Sequence, residues 1–215
     1  IEERDVARVR IDLVRGDRTT TAEAPDPDQR VVWIDDQRVA ALSYRAGLRV
    51  IDRRAPAQPT PLFATEHRFV GAAVQHGQVR LLSRDGRVFA LLDGHLTQVA
   101  DVPGATHLVG VEGTWLLARD HALVTFDGAV VLDGDARITA LATRDGHLAV
   151  GDERGSVVLV VHPGMEVAWQ LDAHSERVAG LAFTRDALVS VSWDGRLRRY
   201  AVDRADNLWV NSASD

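Results

Sequence analysis

The sequence of 215 residues contains no cysteine and no lysine, and it has only one methionine. Without cysteine the chain can form neither disulfide bonds nor thiolate zinc sites, and a cysteine nucleophile is excluded. No apolar run approaches the roughly 18–20 residues of a membrane-spanning helix. The first residues are charged and do not have the form of a signal peptide. We therefore expect no membrane partner and a cytoplasmic location.

The composition is typical of a globular protein with a sizeable core, since 46% of the residues are apolar and 26% are charged. All 25 basic residues are arginine, a bias typical of GC-rich coding, and we expect a bacterial source. The net charge of −6 disfavours nucleic acid as a partner, although a local basic patch is compatible with it.

Short β-type runs rich in valine, leucine and alanine recur along the chain, and turns separate them. The turn signatures recur at intervals of 34 to 40 residues. Their reference positions are Gly47, Gly86, His121, Gly155 and Gly195. A period near 40 with four short strands in each unit is typical of a β-propeller. The sequence therefore predicts an all-β fold of four-stranded antiparallel blades.

Five complete blades fit residues 29–215, and we expect residues 1–28 to contribute a partial blade and a linker. The strands of the last blade are predicted at 177–183, 187–192, 196–201 and 207–211. Five and a half blades leave sheet edges unpaired, whereas a closed propeller has none. We therefore expect the chain to be part of a larger propeller, completed by further sequence or by a partner fragment. A ring that closes on the N-terminal strands is the alternative.

The most specific motif lies in the C-terminal unit. Residues 171–174 read Leu-Asp-Ala-His, residues 188–195 read Leu-Val-Ser-Val-Ser-Trp-Asp-Gly, and residues 197–200 read Leu-Arg-Arg-Tyr. Over about residues 171–203 this unit resembles the consensus of the WD-repeat β-propeller family, and the other units resemble it in architecture. The resemblance implies a structural hydrogen-bond network of His174, Asp194 and either Ser190 or Ser192, with Tyr200 in place of the consensus tryptophan.

The same residue types, in His174, Ser190 and Asp194, form the triad of many hydrolases. No Gly-x-Ser-x-Gly elbow accompanies them, and we interpret them as structural. The eight histidines lack the short spacings of a metal site, and we interpret Asp133-Gly134-Asp135 as a surface turn rather than a calcium loop. We therefore expect no metal, no cofactor and no catalytic residue.

Arginine recurs at two positions of the aligned blades. The starts of the inner strands carry Arg30, Arg68, His107, Arg137 and Arg177. The turns between the second and third strands carry Arg45, Arg84, Arg119, Arg154 and Trp193. Eight of these ten positions are arginine, whereas the average arginine content would give about one. Both positions lie on one face in WD-repeat propellers, so the resemblance implies an arginine-rich surface.

We predict a non-catalytic interaction domain, a regulatory sensor or scaffold within a larger multidomain protein. Its arginine-rich face would bind an acidic or phosphorylated segment of a protein partner. The residues predicted to carry this contact are Arg45, Arg84, Arg119, Arg137, Arg177 and Trp193. Two alternatives remain open: each arginine pairs with a carboxylate of its own loop, or the propeller is an enzyme whose central channel holds Asp35, His107 and Glu112.

Overall fold

The computed structural model describes residues 9–15, 18–24, 30–35, 37–43, 47–55, 60–63, 67–92 and 95–202. Every regular element in these residues is a β-strand, and the strands form successive antiparallel sheets. None of the described residues belongs to a helix long and apolar enough to cross a membrane. The predicted all-β propeller fold is confirmed. The chain divides into two compact units, residues 1–99 and residues 100–215.

Unit 1 contains a two-stranded sheet and two blades, apart from residues 100 and 101 at the end of the second blade. The two-stranded sheet pairs β1 (Val9–Arg15) with β2 (Arg18–Ala24), in the region where a partial blade is predicted. Blade 1 consists of β3 (Arg30–Trp33), β4 (Arg38–Ser43), β5 (Gly47–Asp52) and β6 (Thr60–Phe63). Blade 2 consists of β7 (Phe69–Gln75), β8 (Gln78–Ser83), β9 (Arg87–Leu92) and β10 (His95–Asp101). The strands of each blade pair in chain order, as in a meander.

The two blades of unit 1 share one apolar core. Leu42 and Leu48 of blade 1 pack with Phe69, Leu81 and Phe89 of blade 2. The rings of Phe69 and Phe89 meet edge to face, with centroids 5.7 Å apart, the arrangement that aromatic quadrupoles favour.

Unit 2 contains three blades. Blade 3 consists of β11 (Ala105–Val111), β12 (Thr114–Arg119), β13 (Ala122–Val124) and β14 (Val130–Asp133). Blade 4 consists of β15 (Ile138–Arg144), β16 (His147–Asp152), β17 (Ser156–Val161) and β18 (Glu166–Asp172). Blade 5 shows β19 (Val178–Phe183), β20 (Ala187–Ser192) and β21 (Leu197–Ala201). The fourth strand predicted at 207–211 lies outside the described residues.

Blade 4 is apolar on both faces because it lies between two neighbouring blades. Alternate residues of a strand point to opposite faces. Leu148 and Val150 therefore pack in one core with blade 3, while Ala149, Val157 and Leu159 pack in another with blade 5. This double burial explains why β17 reads as an almost continuous run of valine and leucine.

The strand β13 is shorter than the sequence predicts. The pattern favours a strand over residues 122–126, but β13 ends at Val124. Thr125 donates its hydroxyl to Asp127, and the backbone N–H of Gly128 bonds the carbonyl oxygen of Thr125. Gly128 has a φ of +85°, which glycine adopts readily. This local turn replaces the last two residues of the predicted strand.

Candidate interaction surface

The upper edge of unit 2 is the edge at which each inner strand begins and each second strand turns into the third. Backbone hydrogen bonds tie neighbouring blades together along it. The N–H of Ile138 in blade 4 bonds the carbonyl oxygen of Asp120 in blade 3 at 2.8 Å, and the N–H of His174 bonds the carbonyl oxygen of Gly155 at 3.0 Å. The turns at Asp120, next to Arg119, and at Gly155 are therefore held by more than one blade.

His174 lies at the centre of a buried network on this edge. Its Nδ1 is 3.0 Å from Oδ2 of Asp194, its Nε2 is 2.7 Å from Oγ of Ser190, and Oγ of Ser190 is 3.0 Å from the hydroxyl of Tyr200. The side chains of His174 and Asp194 are 0% and 4% exposed. Ser192 lies outside this chain of contacts, since its hydroxyl donates to the carbonyl oxygen of Glu176. Of the two serines left open by the sequence, Ser190 occupies the network.

Hydrogen bonds hold the pKa of Asp194 below its usual range. Burial works against its ionisation and is the largest single influence, but it is outweighed by the hydrogen bonds that the carboxylate accepts from the backbone N–H of Arg196, from His174 and from the N–H of Ser175. An ionised carboxylate only accepts hydrogen bonds, so Nδ1 of His174 is the donor in its contact with Asp194. Burial also raises the pKa of Tyr200.

The spacing of Ser190, His174 and Asp194 resembles that of a hydrolase triad, but the surroundings differ. A catalytic serine must present its oxygen to a substrate carbonyl. Ser190 is fully buried, and its oxygen contacts the hydroxyl of Tyr200 as well as His174. The network therefore joins the loop before β19 to the turn after β20 and leaves no approach to the serine oxygen.

Trp193 and Arg177 form the most exposed aromatic feature of the upper edge. Trp193 is 66% exposed. Its backbone N–H bonds the carbonyl oxygen of Arg177 at 3.1 Å, and the guanidinium carbon of Arg177 lies 5.0 Å from the centroid of the Trp193 ring. In the described part of the chain, Nε of Arg177 is buried without a hydrogen-bond partner, and no carboxylate forms an ion pair with this side chain.

Arg137 occupies the same place in blade 4 that Arg177 occupies in blade 5. The N–H of Glu153 bonds the carbonyl oxygen of Arg137 at 2.9 Å, and Nε of Arg137 lies 3.6 Å from a carboxylate oxygen of Glu153. Both side chains are about half exposed. In blade 2 the N–H of Arg84 makes the same kind of bond to Arg68, at 2.7 Å. Glu153, rather than Arg154, is thus the counterpart of Trp193 and Arg84.

The remaining predicted contact residues are distributed between the two units. Arg119 is the last residue of β12 and precedes Asp120, which takes the Glu153 position in blade 3. In unit 1, Arg84 and Arg68 line a shallow depression with His67 and Asp85. Arg45 lies outside the described residues.

The upper edge of unit 2 therefore alternates in charge. Its arginines are interleaved with carboxylates, among them Asp120, Asp133, Asp152 and Glu153. Arg177 differs from Arg137 in that no carboxylate of the described residues forms an ion pair with it.

The residues of the enzyme alternative are not brought together within either unit. His107 lies near the start of β11, and Glu112 lies in the turn at its far end, about 17 Å away at the usual rise per residue. In unit 1, Asp35 accepts hydrogen bonds from the N–H groups of Gln37 and Arg38 and pairs with the Arg38 guanidinium at 2.7 Å. These bonds lower the pKa of Asp35. No group of three or more potential metal ligands converges in the residues that the structure describes.

Sequence reasoning did not predict a cleft of about 250 Å³ that opens between blades 3 and 4 at the upper edge. Asp133, Asp135, Asp152 and Asp172 line it, together with Ser156. The Asp133-Gly134-Asp135 triplet was the one local signal, and it reads as an ordinary turn. We call this feature the 3/4 cleft.

Comparisons with known proteins agree with this fold. No protein-family model matches the sequence, and no curated protein matches it. Among solved structures the chain is similar to the computationally designed protein Ika8, with a TM-score of 0.62 and 17% identity over 80% of this chain and 57% of that one. It is also similar to the computationally designed Ika4, with a TM-score of 0.54 and 18% identity over 65% of this chain and 94% of Ika4.

A natural structure is similar as well. PorZ, an essential bacterial surface component of the type-IX secretion system of Porphyromonas gingivalis, matches with a TM-score of 0.66 and 15% identity. The match covers 86% of this chain and 26% of PorZ. This chain thus spans little more than half of Ika8 and about a quarter of PorZ. At such identities the likeness shows the fold alone, and the class of protein that it defines is the β-propeller.

Proposed function

We propose that this chain is a non-catalytic, WD-repeat-like interaction domain that binds an acidic or phosphorylated segment of a protein partner. The observation that carries the proposal is the exposed ring of Trp193 beneath the guanidinium of Arg177, which pairs with no carboxylate of the described residues. Tryptophan and arginine are among the residue types most enriched in the dominant contacts of protein interfaces. A rigid ring and an oriented guanidinium lose little freedom when a partner binds.

Arginine suits the proposed ligand because its planar guanidinium can donate two parallel hydrogen bonds to a carboxylate or a phosphate. Arg137 offers a second donor group on the same edge. Its pairing with Glu153 is 3.6 Å long and half exposed, and pairs of this kind contribute only about 0–1 kcal/mol. A phosphate could therefore displace Glu153 from Arg137 with little loss of free energy.

The wider setting belongs to the same proposal. We place the chain in a larger, bacterial multidomain protein, in which the propeller acts as a scaffold or regulatory sensor in the cytoplasm. A partner fragment or further sequence would complete the propeller. Arg45, Arg84 and Arg119 are secondary candidates for the contact with the partner segment. Peptide binding by an alanine variant of each should be compared with that of Arg177→Ala.

The test is an array of short peptides of random sequence around a central phosphoserine, aspartate or serine, probed with the full chain. We expect the phosphoserine and aspartate peptides to be enriched, with binding that weakens as salt is added. For the best peptide, Arg177→Ala and Trp193→Ala should each weaken binding about tenfold. The matched control is Arg199→Ala, which removes an exposed arginine of β21 that pairs with Asp186 at 2.6 Å.

Two results would contradict the proposal. One is equal binding of the phosphoserine and serine peptides. The other is a loss of binding in Arg199→Ala as large as that in Arg177→Ala, because both variants change the net charge equally and only one changes the proposed surface.

A further inference from the structure

The 3/4 cleft has one wall from blade 3 and one from blade 4. His121, Leu132 and Asp133 of blade 3 face the surface of β16, β17 and β18 in blade 4. The segment that joins the blades, with Asp135 and Ala136, closes one side. Both walls belong to unit 2, so the cleft is part of one compact body.

Strand alternation explains the polarity of the blade 4 wall. On β17 and β18 the residues that line the cleft are separated by one position, as Ser156 and Val158 are, and as Gln170 and Asp172 are. They lie on the same face of the sheet as Val150, which packs in the core shared with blade 3. The cleft is therefore the upper continuation of this core, and it becomes polar where the strands reach the edge.

Carboxylates dominate the polar part. Four aspartates line the cleft, against one arginine, Arg154, and one histidine. Oδ1 of Asp152 accepts the N–H groups of Arg154 and Ser156 at 2.9 Å each, so its other oxygen is available to a ligand. His121 bridges Asp120 and Asp133, with its Nε2 3.3 Å from Oδ1 of Asp133. Asp135 and Asp172 form no ion pair with any described residue.

Ser156 supplies an independent indication of a ligand. It is 7% exposed, and its hydroxyl oxygen makes no hydrogen bond to any described residue. A buried hydroxyl without a partner is unfavourable. Ser156 lies directly opposite Asp172 across the β17–β18 pair, and residues paired in this way project to the same face. The hydroxyl is therefore directed to the face that carries the acidic cleft.

We propose that the 3/4 cleft binds an arginine side chain of the partner segment. This inference rests on the proposed interaction function and adds a second contact to it. The cleft offers carboxylate oxygens and a hydroxyl oxygen, all acceptors, and a guanidinium has five donors and no acceptor. The apolar side chains of Leu132, Val158 and Val167 along the walls suit the aliphatic stem. An anion would meet four carboxylates and is disfavoured.

The two contacts lie on either side of one turn. Arg154 lines the cleft, and Gly155 is the next residue in the chain. The carbonyl oxygen of Gly155 accepts a hydrogen bond from the N–H of His174, which lies three residues before Arg177. A segment that places an acidic group at Arg177 can therefore run across the blade 4 turn to the cleft. The preferred partner segment thus carries both an acidic or phosphorylated residue and an arginine.

The experiment uses the full chain and a blocked tripeptide, Ac-Gly-Arg-Gly-NH₂, compared with the citrulline peptide of the same shape and no charge. Amide shifts in ¹H–¹⁵N spectra are followed during titration. The arginine peptide should shift the amides of Gly134, Arg154 and Ser156 in a saturable manner, and the citrulline peptide should not. Asp172→Asn should weaken binding about tenfold, because a charge-assisted hydrogen bond is lost.

Asp186→Asn is the matched control, since it removes one exposed carboxylate of blade 5 outside the cleft. It should leave the titration unchanged. Asp135→Asn, in the segment between the blades, should also weaken binding. It tests the cleft independently in case Asp172→Asn disturbs folding. Equal shifts with both peptides, shifts confined to residues outside the cleft, or unchanged affinity in Asp135→Asn and Asp172→Asn would overturn the inference.

The outcome is separable from that of the proposed function. The phosphoserine array measures binding at Arg177 and Trp193. The tripeptide carries no acidic group, so its titration measures binding in the 3/4 cleft alone. Saturable, Asp172-dependent binding of the arginine peptide with no enrichment of acidic peptides would leave the cleft as a site and remove the acidic-segment proposal.

Discussion

The backbone N–H of Trp193 bonds the carbonyl oxygen of Arg177, and the Arg177 guanidinium lies 5.0 Å from the centre of the Trp193 ring. One pair of residues is thus joined twice, through the backbone and through the side chains. The backbone bond fixes the distance between the two Cα atoms, so the side-chain contact needs little further ordering. This relationship makes the pair a preformed surface element and leads to the first prediction.

A double-mutant cycle of Arg177→Ala and Trp193→Ala should give a coupling energy of about 0.5–1 kcal/mol, the usual size for an exposed cation–π contact. The free energy of unfolding in urea is the measured quantity. The Arg199–Asp186 pair is the control cycle, and its coupling should decline with added salt more than that of Arg177 and Trp193. A coupling energy of zero would show that Arg177 and Trp193 are close together but do not stabilise each other.

The His174 network should contribute strongly to stability. His174→Ala and Ser190→Ala each leave buried polar groups without partners, and each should lower the free energy of unfolding by about 2–3 kcal/mol. Tyr200→Phe removes only the outer hydrogen bond and should lower it by about 1 kcal/mol. Urea unfolding at neutral pH measures all three. A Tyr200→Phe effect larger than that of His174→Ala would contradict the proposed order of contacts.

Asp194 should make stability depend on acid pH. Its pKa in the folded chain lies below the ordinary value of 3.8, so the unfolded chain binds the proton more readily. The stabilisation is therefore fully present above 3.8 and is lost as the pH falls through the lower, folded pKa. The difference in unfolding free energy between the wild type and Asp194→Asn should shrink as the pH is lowered from 6 towards 3. If the difference in unfolding free energy stayed constant between pH 6 and 3, the lowered pKa of Asp194 in the folded chain would be contradicted.

Gly155 and Gly195 make a matched pair of turn glycines. Both have positive φ, +93° and +77°. A Cβ at Gly155 would clash with the carbonyl oxygen of His174, whereas one at Gly195 meets none of the described atoms within 4 Å. Gly195→Ala should lower the unfolding free energy by about 1–2 kcal/mol through backbone strain alone. Gly155→Ala should lower it by more, because the blades must also separate. Equal effects in thermal unfolding would contradict this contact.

The described strands of blades 2, 4 and 5 could be predicted closely from the sequence, because turn glycines and alternating apolar residues act locally. β16, for instance, is predicted at 147–151 and extends over His147–Asp152. The early end of β13 could not be predicted in this way. It depends on a side chain, that of Asp127, competing for hydrogen bonds with the strand.

The candidate surface was predictable only in part. Turn signatures alone align Arg154 with Trp193, but the register of β15 with β16 puts Glu153 there instead. The 3/4 cleft could not be found from spacing, because Asp133, Asp152 and Asp172 are distant in sequence. Pairing of strands and packing of blade 4 on blade 3 bring them together. Such convergence is a property of the fold and leaves no local motif.

The hydrogen bonds from Ile138 to Asp120 and from His174 to Gly155 have a mechanical consequence. A force applied by a bound partner at the upper edge would not peel one hairpin from the end of a sheet. It would load bonds in blades 3, 4 and 5 at once, together with the apolar contacts between them. Unit 2 should therefore act as a stiff anchor, able to hold a tethered partner under tension that would unravel a single blade.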